Sequence, residues 1–292
     1  MSGDPVTPEL RQWILAQSAV GQPAEALLKG MLASGWSEPA ARQALRVTLQ
    51  ADLAANAEMA DAAAGVTATL APTGVPVPEP LAEAGSVTLQ LADREVDVLV
   101  AMQSPRIVVV GGLLAGDECD ELIELARERL SRSETVQTDT GSNEVNAART
   151  SDGMFFERGE FALCKRIETR MAALMRWPVE SGEGLQILRY GVGAEYRPHH
   201  DYFDPAQAGT PALLQRGGQR VASLICYLNT PRRGGSTVFP DIGLEVAPVK
   251  GNAVFFSYDR PDPGTRTLHG GGAVLEGEKW VATKWVRERR FE

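Results

Sequence analysis

Hydrophobic positions along the chain repeat with two different periods, and the change between them divides it. In the first fifty residues the spacing is helical: Leu10, Trp13 and Ile14 share one face, Leu27, Leu28 and Met31 a second, and Ala40, Ala41, Ala44, Leu45 and Val47 a third. Pro23 and Ser37 stand where helix starts are expected, and Gly30 and Gly35 near ends. Helical spacing returns at 117–130, where Cys119, Leu122, Ile123, Ala126 and Leu130 align behind an acidic first turn. It returns again at 159–176, with Cys164, Ile167, Met171, Leu174 and Met175 inward and Pro178 as a stop. Short strand-like runs follow: 106–110 before these helices, then 185–190, 220–229, 237–239, 244–249, 253–258 and 280–286. Gly, Pro, Asp and Asn separate them.

Two helices followed by many short strands predict an α+β domain whose sheet part is a sandwich or jelly roll. Residues 55–86 are rich in Ala and Pro, a composition that favours extended chain and builds no core, so they read as a linker. The expected organisation is a small helical segment at 1–54, that linker, and a catalytic-sized domain at 87–292.

Composition narrows the functional classes. A formal net charge of −9 disfavours a nucleic-acid partner. No apolar run is long enough to span a bilayer, and the N-terminus carries no secretory signal pattern, so neither membrane nor export is expected. The 3 cysteines, Cys119, Cys164 and Cys226, are far apart and lie in apolar-periodic segments, which suits buried thiols in a reducing cytoplasm.

The chain has only 3 histidines. A lone histidine is usually structural, but here two adjoin a carboxylate in Arg197-Pro-His-His-Asp-Tyr, and the third stands in Thr267-Leu-His-Gly-Gly. On extended chain, side chains alternate, so His199 and Asp201 face one way and His200 the other. His-x-Asp with a distant His269 is the pattern of a 2-His-1-carboxylate site, which leaves positions open and suits non-haem Fe(II); a hydrolytic zinc site uses similar ligands. Lys279, beyond His269 in Gly277-Glu-Lys-Trp, is placed to meet an anionic co-substrate, with Tyr190 as a second donor.

From about 104 to 288 the chain resembles the prolyl 4-hydroxylase group of Fe(II)/2-oxoglutarate dioxygenases. The resemblance rests on ordered blocks: Ser104-Pro-Arg-Ile-Val-Val-Val; Ala148-Arg-Thr-Ser-Asp-Gly-Met-Phe; Leu185-Gln-Ile-Leu-Arg-Tyr through His199-His-Asp-Tyr-Phe; Gly218-Gln-Arg-Val-Ala-Ser-Leu-Ile-Cys-Tyr-Leu-Asn; Gly234-Gly-Ser-Thr-Val-Phe-Pro; and Leu268-His-Gly-Gly-Gly-Ala-Val-Leu-Glu-Gly-Glu-Lys-Trp. It implies a double-stranded β-helix with His199, Asp201 and His269 on iron. Lys279, helped by Tyr190 and Thr237, would hold the C5 carboxylate of 2-oxoglutarate, with Trp285 lining the same pocket. Arg149, Ser151, Tyr196 and Arg220 match substrate-facing positions. The implied reaction uses O₂, releases succinate and CO₂ and hydroxylates a substrate, with ascorbate as reductant.

The family often has Pro-Val where this chain has Ala273-Val274. The first ninety residues do not resemble the substrate-binding domain of the collagen enzymes. A peptide or protein substrate is expected, a free amino acid or other small molecule being the alternative and a non-catalytic binding module a third reading. The polar segment 134–148 reads as a loop closing over substrate. Residues 8–50, which faintly resemble a ubiquitin-associated module, would serve as a helical cap, a partner site or a self-association element.

Overall fold

The computed structural model describes residues 6–7, 10–11, 13–14, 17, 24–48, 75–81, 85–132, 134–136, 143–145 and 150–292. They divide into two compact units, Met1–Thr73 and Gly74–Glu292. In the first, helix α1 (Ala24–Ala33) and helix α2 (38–48) build a core of their own: Val6, Ile14, Leu27, Met31, Ala41, Ala44 and Leu45 are buried together. Leu28 is only half-buried, and Trp13, expected inward beside Ile14, is 40% exposed. Gly35, at φ +90°, follows the end of α1 as the spacing predicts.

The second unit carries the strands β1 (Thr88–Gln90), β2 (Glu95–Met102) and β3 (Arg106–Gly111), then helix α3 (Gly116–Arg127). Short strands β4 (Ser131–Arg132), β5 (Glu134–Val136) and β6 (Asn143–Val145) lead to β7 (Asp152–Phe156) and helix α4 (Ala162–Met175). There follow β8 (Leu185–Tyr190), β9 (Tyr196–His199), helix α5 (Thr210–Gln215), β10 (Arg220–Tyr227), β11 (Arg233–Gly234), β12 (Thr237–Phe239) and β13 (Leu244–Val246). The last are β14 (Ala253–Ser257), β15 (His269–Gly271), β16 (Val274–Glu276) and β17 (Lys279–Arg287). Among the described residues the larger sheet runs β1-β2-β3-β14-β10-β17-β8-β7-β4, and a smaller one runs β13-β12-β15-β9. This is the α+β double-stranded β-helix, or jelly roll, that the pattern predicts.

Pleat alternation assigns each strand residue to one of two cores. Val108, Val110, Ile187, Ala222, Leu224, Cys226, Phe255, Trp280 and Ala282 face α3 and α4, meeting Cys119, Leu122, Ile167 and Met171. The alternate set, Ile107, Val109, Tyr190, Tyr227, Val254, Phe256 and Val281, faces the smaller sheet and meets Phe239 and Val246. Lys279 and Trp285 share parity with Val281 and therefore belong to this second, inter-sheet space. No helix among the described residues is long and apolar enough to cross a membrane.

Part of the expected linker belongs to the second unit. Pro78 and Pro80 are buried, Glu79 N–H donates to the Met175 carbonyl, and the Arg106 guanidinium pairs with the Glu79 carboxylate. Proline-rich chain needs few partners to lie against a surface, and Met175 and Arg106 supply two here. Segment 134–148, read as a loop, contains the antiparallel pair β5–β6.

Helices α3 and α4 are tied by a buried ion-pair network. Glu118, in the first turn of α3, accepts from Arg170 of α4 at 2.6 Å and from the Ala115 N–H at 2.9 Å; Arg170 also pairs with Asp93 at 2.7 Å. Burial opposes ionisation of Glu118, but Arg170, the Ala115 N–H and Arg166 together hold its carboxyl down at about 2. Removing one partner strands a desolvated charge, so Arg170→Ala is expected to lose about 3–5 kcal/mol in urea unfolding, while the double variant with Glu118→Ala loses less than the sum of the singles. Because the folded value lies below the ordinary 4.5, the Glu118 contribution is complete above that value. It fades as pH falls towards 2, which an acid-unfolding series on wild type and Glu118→Gln measures.

Candidate metal centre

Antiparallel pairing of β9 with β15 sets His199 directly opposite His269, with ring centroids 4.4 Å apart. Two residues beyond His199 the pleat returns Asp201 to the same side. Its carboxylate oxygens stand 3.5 Å from His199 Nε2 and 3.4 Å from His269 Nε2. One ligand atom from each of the three residues lies within 4.8 Å of the others. The close approach of the strands depends on Gly270, where a Cβ would meet the Tyr196 carbonyl at 2.8 Å and the Pro198 nitrogen at 3.1 Å.

The protonation states suit a metal. Each imidazole Nδ1 lies 3.0 Å from a backbone carbonyl, that of Arg197 for His199 and of Thr267 for His269. A carbonyl only accepts, so Nδ1 carries a proton in each ring and Nε2 is the nitrogen turned to the centre. Burial pushes His269 down to about 4, which keeps it neutral at physiological pH. Burial opposes ionisation of Asp201, yet His269, His199 and Arg220 hold its carboxyl far below the usual carboxylate range. Two imidazoles and one carboxylate, with no thiolate in the cluster, are the donor set of non-haem Fe(II).

Behind the triad lies a buried cation. Lys279 is 4% exposed, burial lowers it to about 8, and it has no carboxylate partner among the described residues. It is the cross-strand neighbour of Tyr190, and its Nζ lies 5.5 Å from the Tyr190 ring and 5.8 Å from the Tyr227 ring. A Cβ on Gly271 of β15 would be only 3.8 Å from Nζ, which places the ammonium beneath the metal-bearing strand pair. Thr237 pairs with Gly271, and the Tyr227 hydroxyl donates to Thr237 Oγ1 at 2.8 Å, so the Thr237 proton is left to donate elsewhere. A buried ammonium and a buried hydroxyl on one inter-sheet face have the chemistry to attract a small carboxylate.

On the other side, His199 and Asp201 open onto a cleft of about 1520 Å³ lined by Tyr196, Phe203, Arg220, Trp285 and Arg287 among others. Tyr196 stacks on His199 at 3.7 Å. The Arg220 guanidinium is bidentate to Glu183, at 2.7 and 2.8 Å, and lies over the Trp285 ring at 4.1 Å.

Residues 185–287 match the model of the 2OG-Fe(II) oxygenase superfamily. Prolyl 4-hydroxylase 1 of Arabidopsis thaliana is 41% identical over 65% of this chain and 71% of its own length. Prolyl 4-hydroxylase 2 of the same plant is 38% identical over 64% and 69%. A solved structure, the viral collagen prolyl hydroxylase vCPH from Paramecium Bursaria Chlorella virus-1 with 2OG, is 28% identical over 62% of this chain and 94% of that one, with a TM-score of 0.47. The chain belongs to the prolyl 4-hydroxylase-like family of Fe(II)/2-oxoglutarate-dependent dioxygenases.

In this dioxygenase His199, Asp201 and His269 fit an iron site, and Fe(II) held there would supply the redox chemistry of oxidative decarboxylation and hydroxylation. Several residues differ in place from the sequence reading. Trp285 shares a face with Lys279 but lies towards the far end of β17, roughly 20 Å along the strand at a rise of ~3.3 Å per residue, where it lines the cleft. Ser151 is fully buried just before β7 and is not among the cleft-lining residues. Arg149 lies outside the described residues. Arg220 faces the cleft through a guanidinium already committed to Glu183. Sequence reasoning missed Glu183, Phe203, Ser223, Tyr227 and Tyr258. The inward parity of Ser223 and Tyr227 on β10 is the signal that could have found two of them.

Asp201→Ala and His269→Ala are each expected to abolish tight Fe(II) binding, read by anaerobic metal titration. Gly270→Ala should weaken it by separating β9 from β15. Loss of a charged hydrogen bond is worth about 1.5–3 kcal/mol, so Lys279→Met should weaken 2-oxoglutarate binding on the order of 10- to 150-fold. The bound anion requires the ammonium. Affinity should therefore hold below pH 8 and fall as pH rises beyond it, with the bound anion moving the fall upward; the slope should vanish in Lys279→Met.

Proposed function

We propose that this dioxygenase hydroxylates proline within a peptide or protein, releasing succinate and CO₂. The observation that carries this reading is the cleft. Its volume of about 1520 Å³ exceeds the ~300–1,000 Å³ usual for a small-molecule site, and it reaches the metal ligands along an open wall. An extended peptide fits such a groove better than a free amino acid does. Tyr196, stacked on His199, and Trp285, under the Arg220 guanidinium, offer aromatic faces to a pyrrolidine ring, and the Trp285 indole N–H has no partner among the described residues. Arg220, held by Glu183, and Arg149 contribute to peptide contact. Ser151, fully buried just before β7, is the remaining position that the resemblance assigns to the substrate side.

Lys279, with Tyr190 and Thr237, receives the C5 carboxylate of 2-oxoglutarate. His199 and Asp201 present the metal to the cleft, while Phe239 and Phe256, packed around His269, keep water from its inner side. Ascorbate serves as the reductant. The three free, buried cysteines accord with work in a reducing, cytoplasmic setting. Residues 8–50 form a separate partner-binding or self-association unit.

The test is succinate release and O₂ uptake by the purified protein with Fe(II), 2-oxoglutarate and ascorbate, comparing a proline-rich peptide with free proline. Peptide-stimulated turnover, lost in Asp201→Ala and giving hydroxyproline by mass spectrometry, is the expected outcome. Stimulation by free proline alone would refute the peptide assignment while leaving the iron chemistry in place.

A further inference from the structure

The carboxylate of Asp201 is held by more than the histidines. Ser223 is fully buried on the inter-sheet face of β10, and its hydroxyl donates to Asp201 Oδ2 at 2.5 Å. Tyr258, 2% exposed and just past β14, has its hydroxyl 3.0 Å from Ser223 Oγ. Its backbone N–H donates to the Val221 carbonyl, which pins the tyrosine to the strand that bears the serine. Proton counting fixes the direction of the chain. The one Ser223 proton goes to Asp201 Oδ2, so the Tyr258 hydroxyl is the donor to Ser223.

We propose that Ser223 and Tyr258 are positioning residues that confine Asp201 to one-oxygen ligation of the metal. Oδ2 is occupied by a short charge-assisted hydrogen bond, itself strengthened by the donation from Tyr258. Oδ1, which the serine does not engage, is left as the more available donor to the ion. Two imidazoles and one oxygen take one face of an octahedral ion and leave the opposite face to co-substrates; a second carboxylate oxygen would take a position from that face. The pair thus preserves open coordination without touching substrate. This inference rests on the iron-site reading above.

The test uses the full-length protein with Co(II) as a spectroscopic probe. Binding is measured by titration and ligand geometry by the visible d–d absorption bands. Loss of an outer hydrogen-bond partner of a metal ligand typically lowers metal affinity about 10- to 100-fold. Ser223→Ala is expected to weaken Co(II) binding in that range and to alter the d–d bands. Ser223→Thr, which keeps the hydroxyl on a strand, should restore both. Tyr258→Phe should shift the bands the same way with a loss of about tenfold or less. It carries the test if Ser223→Ala does not fold, as judged by circular dichroism. The two variants should also consume more 2-oxoglutarate per hydroxylated product. Unchanged Co(II) affinity and bands in Ser223→Ala, or a Ser223→Thr variant as defective as the alanine, would overturn the proposal. The iron-site reading is judged on wild type alone: a wild-type protein that binds neither Co(II) nor Fe(II) overturns both, whereas normal wild-type binding with indifferent variants overturns only this one.

Discussion

The two-residue period of the larger sheet is the constraint on which everything else in the catalytic unit depends. Each strand residue faces either the helices or the smaller sheet, and the two sides have opposite chemistry. The helix side is closed with aliphatic and aromatic carbon, and its charges are confined to pairs such as Glu118 with Arg170 and Lys284 with Glu168. The inter-sheet side takes the polar residues Lys279, Thr283, Ser223 and Tyr190, interleaved with enough carbon to stay dry. A slip of one residue in β17 would carry Lys279 into the helix-side core and Trp280 into the iron chamber, which is why register here is specified so strongly.

Much of this was legible because it obeys simple periods. The strands at 185–190 and 237–239 have the bounds that their composition predicts, and α3 and α4 differ from expectation only at their ends. Gly159, at φ +71°, turns the chain before α4 can begin. Strand β2 escaped notice because Glu95 and Asp97 interrupt its apolar run, although Val96 is buried and carries the pattern. Strands β9 and β15 are short and rich in Pro, Gly and His, residues that signal a turn; their pairing is made by tertiary closeness and the bare Gly270, which no local window reveals.

The site was legible to the extent that it is made of rare residues. His199, Asp201, His269 and Lys279 stood out because the chain has few histidines and because spacing placed them on faces. Ser223, Tyr227 and Tyr258 are common residue types in apolar strands, and only the fold shows that their hydroxyls point at a ligand or at a chamber wall. Trp285 illustrates the opposite failure. Its parity was readable, but distance along a straight strand separates it from Lys279, and a motif does not show which end of a strand lies over which cavity.

Lys279 has a consequence for the lifetime of the protein. A desolvated ammonium without a counter-ion destabilises the empty fold, and an anion that enters the chamber removes that penalty only in the folded state. If the proposed anion binds there, the unliganded chain would be the form that opens more often and is cut more readily by proteases. Supply of the co-substrate would then bear on how long each molecule survives as well as on how fast it turns over.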